Sequence, residues 1–217
     1  MKLLVFGASG GCGQWVVKLA AQRGWSVTAF VREQTTYVAP AAVRVVRGDV
    51  LNAEHVASVV LDHDAMLSCL GAQRVTPSNP WSALRSPADF CTDSAACIIN
   101  AAVAAGLPRI GAISAAGVGD SATALPLVMR GLIARSTIGV MYRALERMES
   151  RYAASGLDWF AVRPVTLINA APSTRTRVLG RFGSFSVIGR ADVAQWMLDT
   201  IARPILDTRR RPMIGWW

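Results

Sequence analysis

One short run constrains this chain more than any other: Gly7-Ala8-Ser9-Gly10-Gly11-Cys12-Gly13. It follows the apolar stretch Lys2–Phe6 and opens an amphipathic stretch, Gly11–Arg23, that closes on Gly24. A strand, a glycine turn and a helix in that order begin a βα unit. Gly7 permits the sharp exit from the strand, Gly10 lets a ligand approach the backbone, and Gly13 lets the helix pack on the sheet. The amides at the helix start, with Gly11 and Cys12 in its first turn, face outward at the positive end of the helix dipole, which suits phosphate. Ser9 adds a hydroxyl donor. The run therefore predicts a pyrophosphate-binding turn for a dinucleotide.

The rest of the chain keeps alternating between strand and helix patterns, as a parallel sheet covered on both faces requires. Strands are expected at Ser26–Val31, Val43–Arg47, Asp64–Ser68, Arg109–Ile113 and Asp158–Arg163, with a last short one near Met213. Helices are expected at Ala53–Leu61, Asp89–Ala105, Met141–Ala154 and Ala191–Ala202. A Pro-, Ser- and Trp-rich loop, Gln73–Pro87, and a turn-rich stretch reaching Gly189 fall between them. No repeat or linker divides the 217 residues. The expected fold class is α/β: one Rossmann-type domain over 1–217, a doubly wound parallel sheet with a small C-terminal substrate-side lobe over about 165–189.

Cofactor choice depends on the end of the second strand. Domains that bind NAD place an acid there for the ribose hydroxyls, whereas this chain reads Phe30-Val31-Arg32. A guanidinium can stack on adenine and pair with a 2′-phosphate, so NADP(H) is the expected cofactor. Glu33 follows, but neighbouring side chains on a strand point oppositely. Asp49 and Val50 come after the third strand, where an acid can accept from the adenine amino group. Leu70, Gly71 and Ala72 come after the fourth, where a small-residue turn admits a ribose.

Composition narrows the class. At 52% hydrophobic and 17% charged residues, the chain can bury a large core and is not a disordered tail. Its apolar runs fall short of the ~20 residues a membrane span needs, and the N-terminal one is too short for a signal-peptide core, so a cytoplasmic location is expected. Cys12, Cys69, Cys91 and Cys97 form no CxxC pair, and with two histidines present no metal site is expected; the thiols read as reduced packing residues. The net charge of +9 is dispersed apart from Arg209-Arg210-Arg211, and no nucleic-acid reader module is visible. A scattered positive field also suits a ligand with several phosphates. Of the 23 basic residues, all but Lys2 and Lys18 are arginine. Trp216-Trp217 reads equally well as a core seal or a dimer contact, which leaves monomer and homodimer both open.

Further motifs give the chain a family likeness. They are Val5-Phe6-Gly7-Ala8-Ser9-Gly10, Val31-Arg32, Gly48-Asp49-Val50, Ile113-Ser114-Ala115-Ala116-Gly117-Val118, Glu149 with Ser155-Gly156-Leu157-Asp158-Trp159, Val162-Arg163-Pro164 and Arg190-Ala191-Asp192-Val193-Ala194. In these the sequence resembles the atypical short-chain dehydrogenase/reductases, a group that includes flavin reductase/biliverdin reductase B proteins and regulators of nitrogen metabolite repression. The resemblance implies that Ser114 lies near the nicotinamide and that Pro164, Val165 and Thr166 form the loop touching it. It also implies that Asp192 supports the substrate-side lobe; capping of its own helix is the alternative.

One departure separates binding from catalysis. Catalytic members of the wider group use Tyr-x-x-x-Lys, whose lysine lowers the tyrosine pKa for proton delivery. Here Tyr142 is followed four residues on by Glu146, and no lysine occurs after Lys18. Tyr142 thus reads either as a substrate wall or as a proton donor. Three functions stay open: an NADPH-dependent reductase of a conjugated small-molecule acceptor such as flavin or quinone; a non-catalytic NADP(H)-binding sensor; and an epimerase-like isomerase. For the first, the Trp81 loop and Ala170–Phe185 would wall the pocket, with Arg175, Arg177 and Arg181 either meeting an acidic group or simply solvated.

Overall fold

A computed structural model describes residues 1–183, 185–204 and 211–216; Arg209, Arg210 and Trp217 lie outside them. In chain order the first half comprises β1 (Lys2–Phe6), α1 (Gly11–Gln22), β2 (Ser26–Val31), β3 (Arg44–Arg47), α2 (Ala53–Val60), β4 (Ala65–Ser68), α3 (Phe90–Ala104) and β5 (Arg109–Ile113). A short 3-10 helix, Gly119–Ala124, then precedes α4 (Leu127–Ala134), α5 (Thr137–Ala154), β6 (Asp158–Pro164), β7 (Thr166–Ile168), β8 (Thr176–Val178), β9 (Val187–Gly189), α6 (Arg190–Ile201) and β10 (Met213–Trp216).

The main sheet runs β3-β2-β1-β4-β5-β6-β10-β8. Every pairing in it is parallel except that of β10 with β8. β7 and β9 form a separate parallel pair. Strand alternation divides the core between the two faces. Leu3, Val5, Val27 and Ala29 pack with α1 and α6, whereas Leu4, Phe6, Phe30 and Met66 pack with α2, α3 and α5. Each such fully buried aliphatic or aromatic side chain stabilises the fold by about 1.5–3 kcal/mol. This is the Rossmann-type doubly wound sheet that the alternating patterns predict.

Three details differ from the sequence expectation. Helix α5 begins at Thr137, a turn earlier than the pattern suggests, where Thr137 docks the distant Pro80 loop: its amide and hydroxyl both donate to the Pro80 carbonyl, at 3.1 and 2.6 Å. Helix α4 is apolar except at Arg130 and Gly131 and only partly buries Met129 and Ile133 against the core, so no polar face marked it in the sequence. The stretch before Gly189 is not irregular throughout; it contains β7, β8 and β9, each only three residues long, too short to show alternation.

Candidate functional site

In a parallel sheet all strands deliver their following loops to one edge. The order β3-β2-β1-β4-β5-β6 therefore lines up the expected site residues: Asp49 and Arg32, then the glycine turn, then Leu70–Ala72, Ser114 and Pro164. From β2 to β6 this row spans about 19 Å at ordinary strand spacing. The order in which strands are added to the sheet reverses between β1 and β4, the switch point at which open α/β sheets form a ligand-binding crevice.

The turn itself is built around two glycines. Gly7 holds φ +71°, and a Cβ there would lie 2.9 Å from the Cys69 carbonyl carbon and oxygen. A Cβ on Gly13 would lie 2.1 Å from the Gly7 carbonyl oxygen, so only glycine lets α1 sit this close to β1. The Gly10 amide donates to Gly7 O at 2.9 Å, and the first helical bond runs from the Gln14 amide to Gly10 O. The amides of Gly11, Cys12 and Gly13 thus project beyond the helix end. Its N-cap Gly10 supplies no side chain, and its first turn carries no acid. Ser9 stands beside it, its carbonyl holding Gln14 Nε2 at 2.8 Å. A cradle that excludes side chains and leaves outward amides fits a pyrophosphate.

Below the turn, Cys12 is buried, and burial pushes its thiol up to about 11, with the Arg190 charge partly opposing. A neutral thiol adds no negative charge beneath the glycine turn. Cys12, Cys69, Cys91 and Cys97 are all free.

At the β2–β3 end of this row, Arg32 is exposed at the tip of β2. Arg47 pins the backbone behind it by donating to Thr35 O at 2.7 Å. Asp49 Oδ1 accepts from the Leu51 amide at 2.9 Å, and the Asp49 amide meets His55 Nδ1 at 3.1 Å, so the loop leading into α2 is fixed. Val50 is buried beneath it. Leu70, Gly71 and Ala72 leave β4 beside the glycine turn, and Gly71 borders open space.

At the other end, the Ser114 amide donates to Val162 O at 2.7 Å and the Ala116 amide to Pro164 O at 3.0 Å, tying the loop after β5 to the end of β6. Ser114 is 5% exposed, yet its Oγ has no hydrogen-bond partner among the described residues. A buried unsatisfied hydroxyl costs about 1–3 kcal/mol, a cost relieved by a bound polar group. Val165 is buried and Thr166 exposed where β7 starts. Tyr142 does not point its hydroxyl at Ser114: it donates to Ala116 O at 3.0 Å, and burial raises the phenol above its ordinary pKa. Its ring helps to line a cavity of about 280 Å³ with Gly117, Leu125, Arg130, Ile133 and Arg143.

The first turn of α6 holds the C-terminal lobe. Asp192, 2% exposed, accepts from the Ser173 amide and hydroxyl, both at 2.6 Å, and from Trp216 Nε1. Its carboxylate therefore serves the lobe rather than capping its own helix. Arg175 stacks on Trp216 at 4.0 Å from the ring centroid, and Arg177 donates to Thr174 O and Thr176 O. Arg181 is exposed. Trp81 rests on the α4–α5 junction, Nε1 to Arg135 O at 3.2 Å. The approach of the Arg190 side chain to Gly11 was not legible in sequence, since 179 residues separate them and only the pairing of α1 with α6 brings them together.

The chain belongs to the NAD(P)H-binding family, whose pattern it matches over residues 7–204. Among curated proteins it is similar to a 3-diazoavenalumate denitrifying reductase from a Streptomyces species, 36% identical over 118 residues. That match covers 54% of this chain and 38% of the reductase. Among solved structures it is similar to ChuY, an anaerobillin reductase from Escherichia coli O157:H7, with a TM-score of 0.77 and 22% identity over 99% of this chain and 96% of that one. It is also similar to a short-chain dehydrogenase/reductase from Veillonella parvula in complex with NADP, TM-score 0.76 and 15% identity, covering 99% and 94% of the two chains. These structural likenesses establish the fold. No helix among the described residues is long and apolar enough to cross a membrane.

Proposed function

We propose that this protein is an NADPH-dependent oxidoreductase that reduces a conjugated small-molecule acceptor, such as a flavin or quinone, without a Tyr-x-x-x-Lys dyad. The observation that carries the reading is the Ser114 hydroxyl, buried and unpartnered at the end of β5 on the row of cofactor-facing loops. The names of two relatives, both reductases, support it.

In this reading the glycine turn and the α1 amides hold the pyrophosphate, Arg32 takes the 2′-phosphate, and Asp49 with Val50 edges the adenine. Leu70, Gly71 and Ala72 pass the ribose, and Pro164, Val165 and Thr166 border the nicotinamide. When bound, NADPH supplies the hydride, two electrons with one proton, and the second proton of the reduced acceptor comes from water. Ser114 Oγ donates to the acceptor or to the carboxamide and fixes the approach geometry, which is what hydride transfer chiefly requires. The Tyr142 ring forms a wall; its hydroxyl is held by Ala116 O and its raised pKa opposes proton release. An acceptor that is easily reduced needs no strong protein acid.

That same Tyr142 bond favours one second reading, a non-catalytic NADP(H) sensor. Titration with NADPH and NADH, followed by an acceptor screen at the nicotinamide absorbance band, decides between them. Oxidation of NADPH by a flavin or quinone supports the reductase. Tight binding with no turnover across the panel supports the sensor and overturns the reductase.

A further inference from the structure

We propose that Arg190 is a ligand of the cofactor pyrophosphate, reaching from the start of α6 across to the glycine turn that opens α1. The Arg190 side chain lies flat over Gly11: a Cβ there would meet its Cδ at 2.8 Å and its Nε at 2.9 Å. A side chain at Gly11 would displace this arginine from the turn. The guanidinium thus stands beside the outward amides of Gly11, Cys12 and Gly13, and its charge reaches the Cys12 thiol.

That placement sets a cation against the positive end of a helix, an arrangement that is repulsive on its own. No acid in the α1 first turn offsets it. Among the described residues Arg190 has no carboxylate within ion-pair distance. Its one side-chain hydrogen bond among the described residues, Nη1 to Asn169 Oδ1 at 2.8 Å, is to a neutral group and does not need a charge. An anion lying between guanidinium and amides would satisfy both at once, through charge-assisted bonds of the kind arginine forms with phosphate. The pyrophosphate is the anion that the turn is shaped to receive. Because Asn169 directly follows β7, the same arginine would carry phosphate occupancy to the lobe that Asp192 holds through Ser173. The inference rests on the cofactor lying over the glycine turn, as proposed above.

The test uses ADP-ribose, which has the pyrophosphate but no 2′-phosphate, and adenosine 2′-monophosphate, which has no pyrophosphate. Calorimetry should find that Arg190→Gln weakens ADP-ribose, NADH and NADPH alike by about tenfold or more and leaves adenosine 2′-monophosphate unchanged. Arg190→Lys, which keeps the charge, should lose less. In the unaltered chain, the Arg190 Nε–H resonance should shift on adding ADP-ribose and not on adding adenosine 2′-monophosphate, which covers the case of a variant that fails to fold. Wild-type affinity for ADP-ribose in Arg190→Gln, or no resonance shift, overturns the role of Arg190. If the unaltered chain binds no nucleotide at all, the placing of the cofactor fails instead.

Discussion

Arg163 meets Glu149 through two parallel bonds, Nε to Oε1 at 2.9 Å and Nη2 to Oε2 at 2.6 Å, with both side chains 1% exposed. Arg163 Nη1 also reaches Asp120 Oδ1 at 2.7 Å. Burial alone would raise the Asp120 carboxyl, but the Arg163 bond and charge outweigh it and leave it below its ordinary value. This fork locks β6 to α5 and to the 3-10 helix that follows the Ser114 loop. Removing Glu149 leaves the buried Arg163 guanidinium with only the solvent-exposed Asp120 as its counterion. Glu149→Ala should therefore lose roughly 3–5 kcal/mol of stability, read as a fall in Tm in thermal unfolding. The double variant Glu149→Met with Arg163→Met should recover part of that loss; a double variant less stable than Glu149→Ala would contradict this account.

Gly13→Ala introduces a methyl 2.1 Å from a backbone oxygen, which no rotamer change relieves. The expected cost is about 1–3 kcal/mol in denaturant unfolding, with NADPH affinity falling as α1 is pushed from the turn. An alanine variant with unchanged stability and affinity would mean that the helix moves freely here.

Arg32→Asp should weaken NADPH about tenfold or more, while NADH changes little or improves. Comparing the two Kd values checks this directly. Equal losses for both nucleotides would remove Arg32 from the 2′-phosphate.

For turnover, Ser114→Ala should lower kcat/KM for flavin or quinone by about five- to tenfold, the worth of one hydrogen bond of ~1 kcal/mol. Tyr142→Phe keeps the wall and should hold kcat/KM near the original. The opposite pattern would return the tyrosine to the role of proton donor.

With its pKa at about 11, the Cys12 thiol stays neutral at pH 7 to 9. Alkylation by iodoacetamide should therefore be slow at neutral pH and speed up only as pH approaches 11, because the thiolate is the nucleophile. Fast labelling at pH 7, mapped by mass spectrometry, would show a thiolate in the phosphate cradle.

How much of this was legible in the sequence depended on distance along the chain. Gly7, Gly10 and Gly13 announce their turn because the strand, the turn and the helix are contiguous, and strict apolar patterning marks β1, β2 and β6. Helix α4 escaped because its eight residues are apolar on nearly every side, with Arg130 the one charge among them, so no polar face sets off the stripe that packs on the core. The tasks of Arg190 and Asp192 are set by partners at Gly11, Ser173 and Trp216, and no local spacing encodes a contact made across the fold. Tyr142 showed its unusual context through the missing lysine, but the Ala116 carbonyl that holds its hydroxyl is a backbone atom, invisible to any residue pattern.

Among the described residues β8 has a single neighbour in the sheet, β10, which it meets in antiparallel register with Val178 opposite Ile214. Val178 and Ile214 are 36 positions apart in the chain, against 24 for Lys2 and Ser26 in the β1–β2 pair and 16 for Thr28 and Arg44 in the β2–β3 pair. Loop closure of this kind is paid in entropy before any contact returns it. The nucleotide-facing half is thus able to assemble as an early folding unit, with the β8–β10 edge arriving later. Pulsed hydrogen exchange during refolding should protect the amides of β1 and β2 before those of β8, making the β8–β10 edge the last part of the sheet to mature.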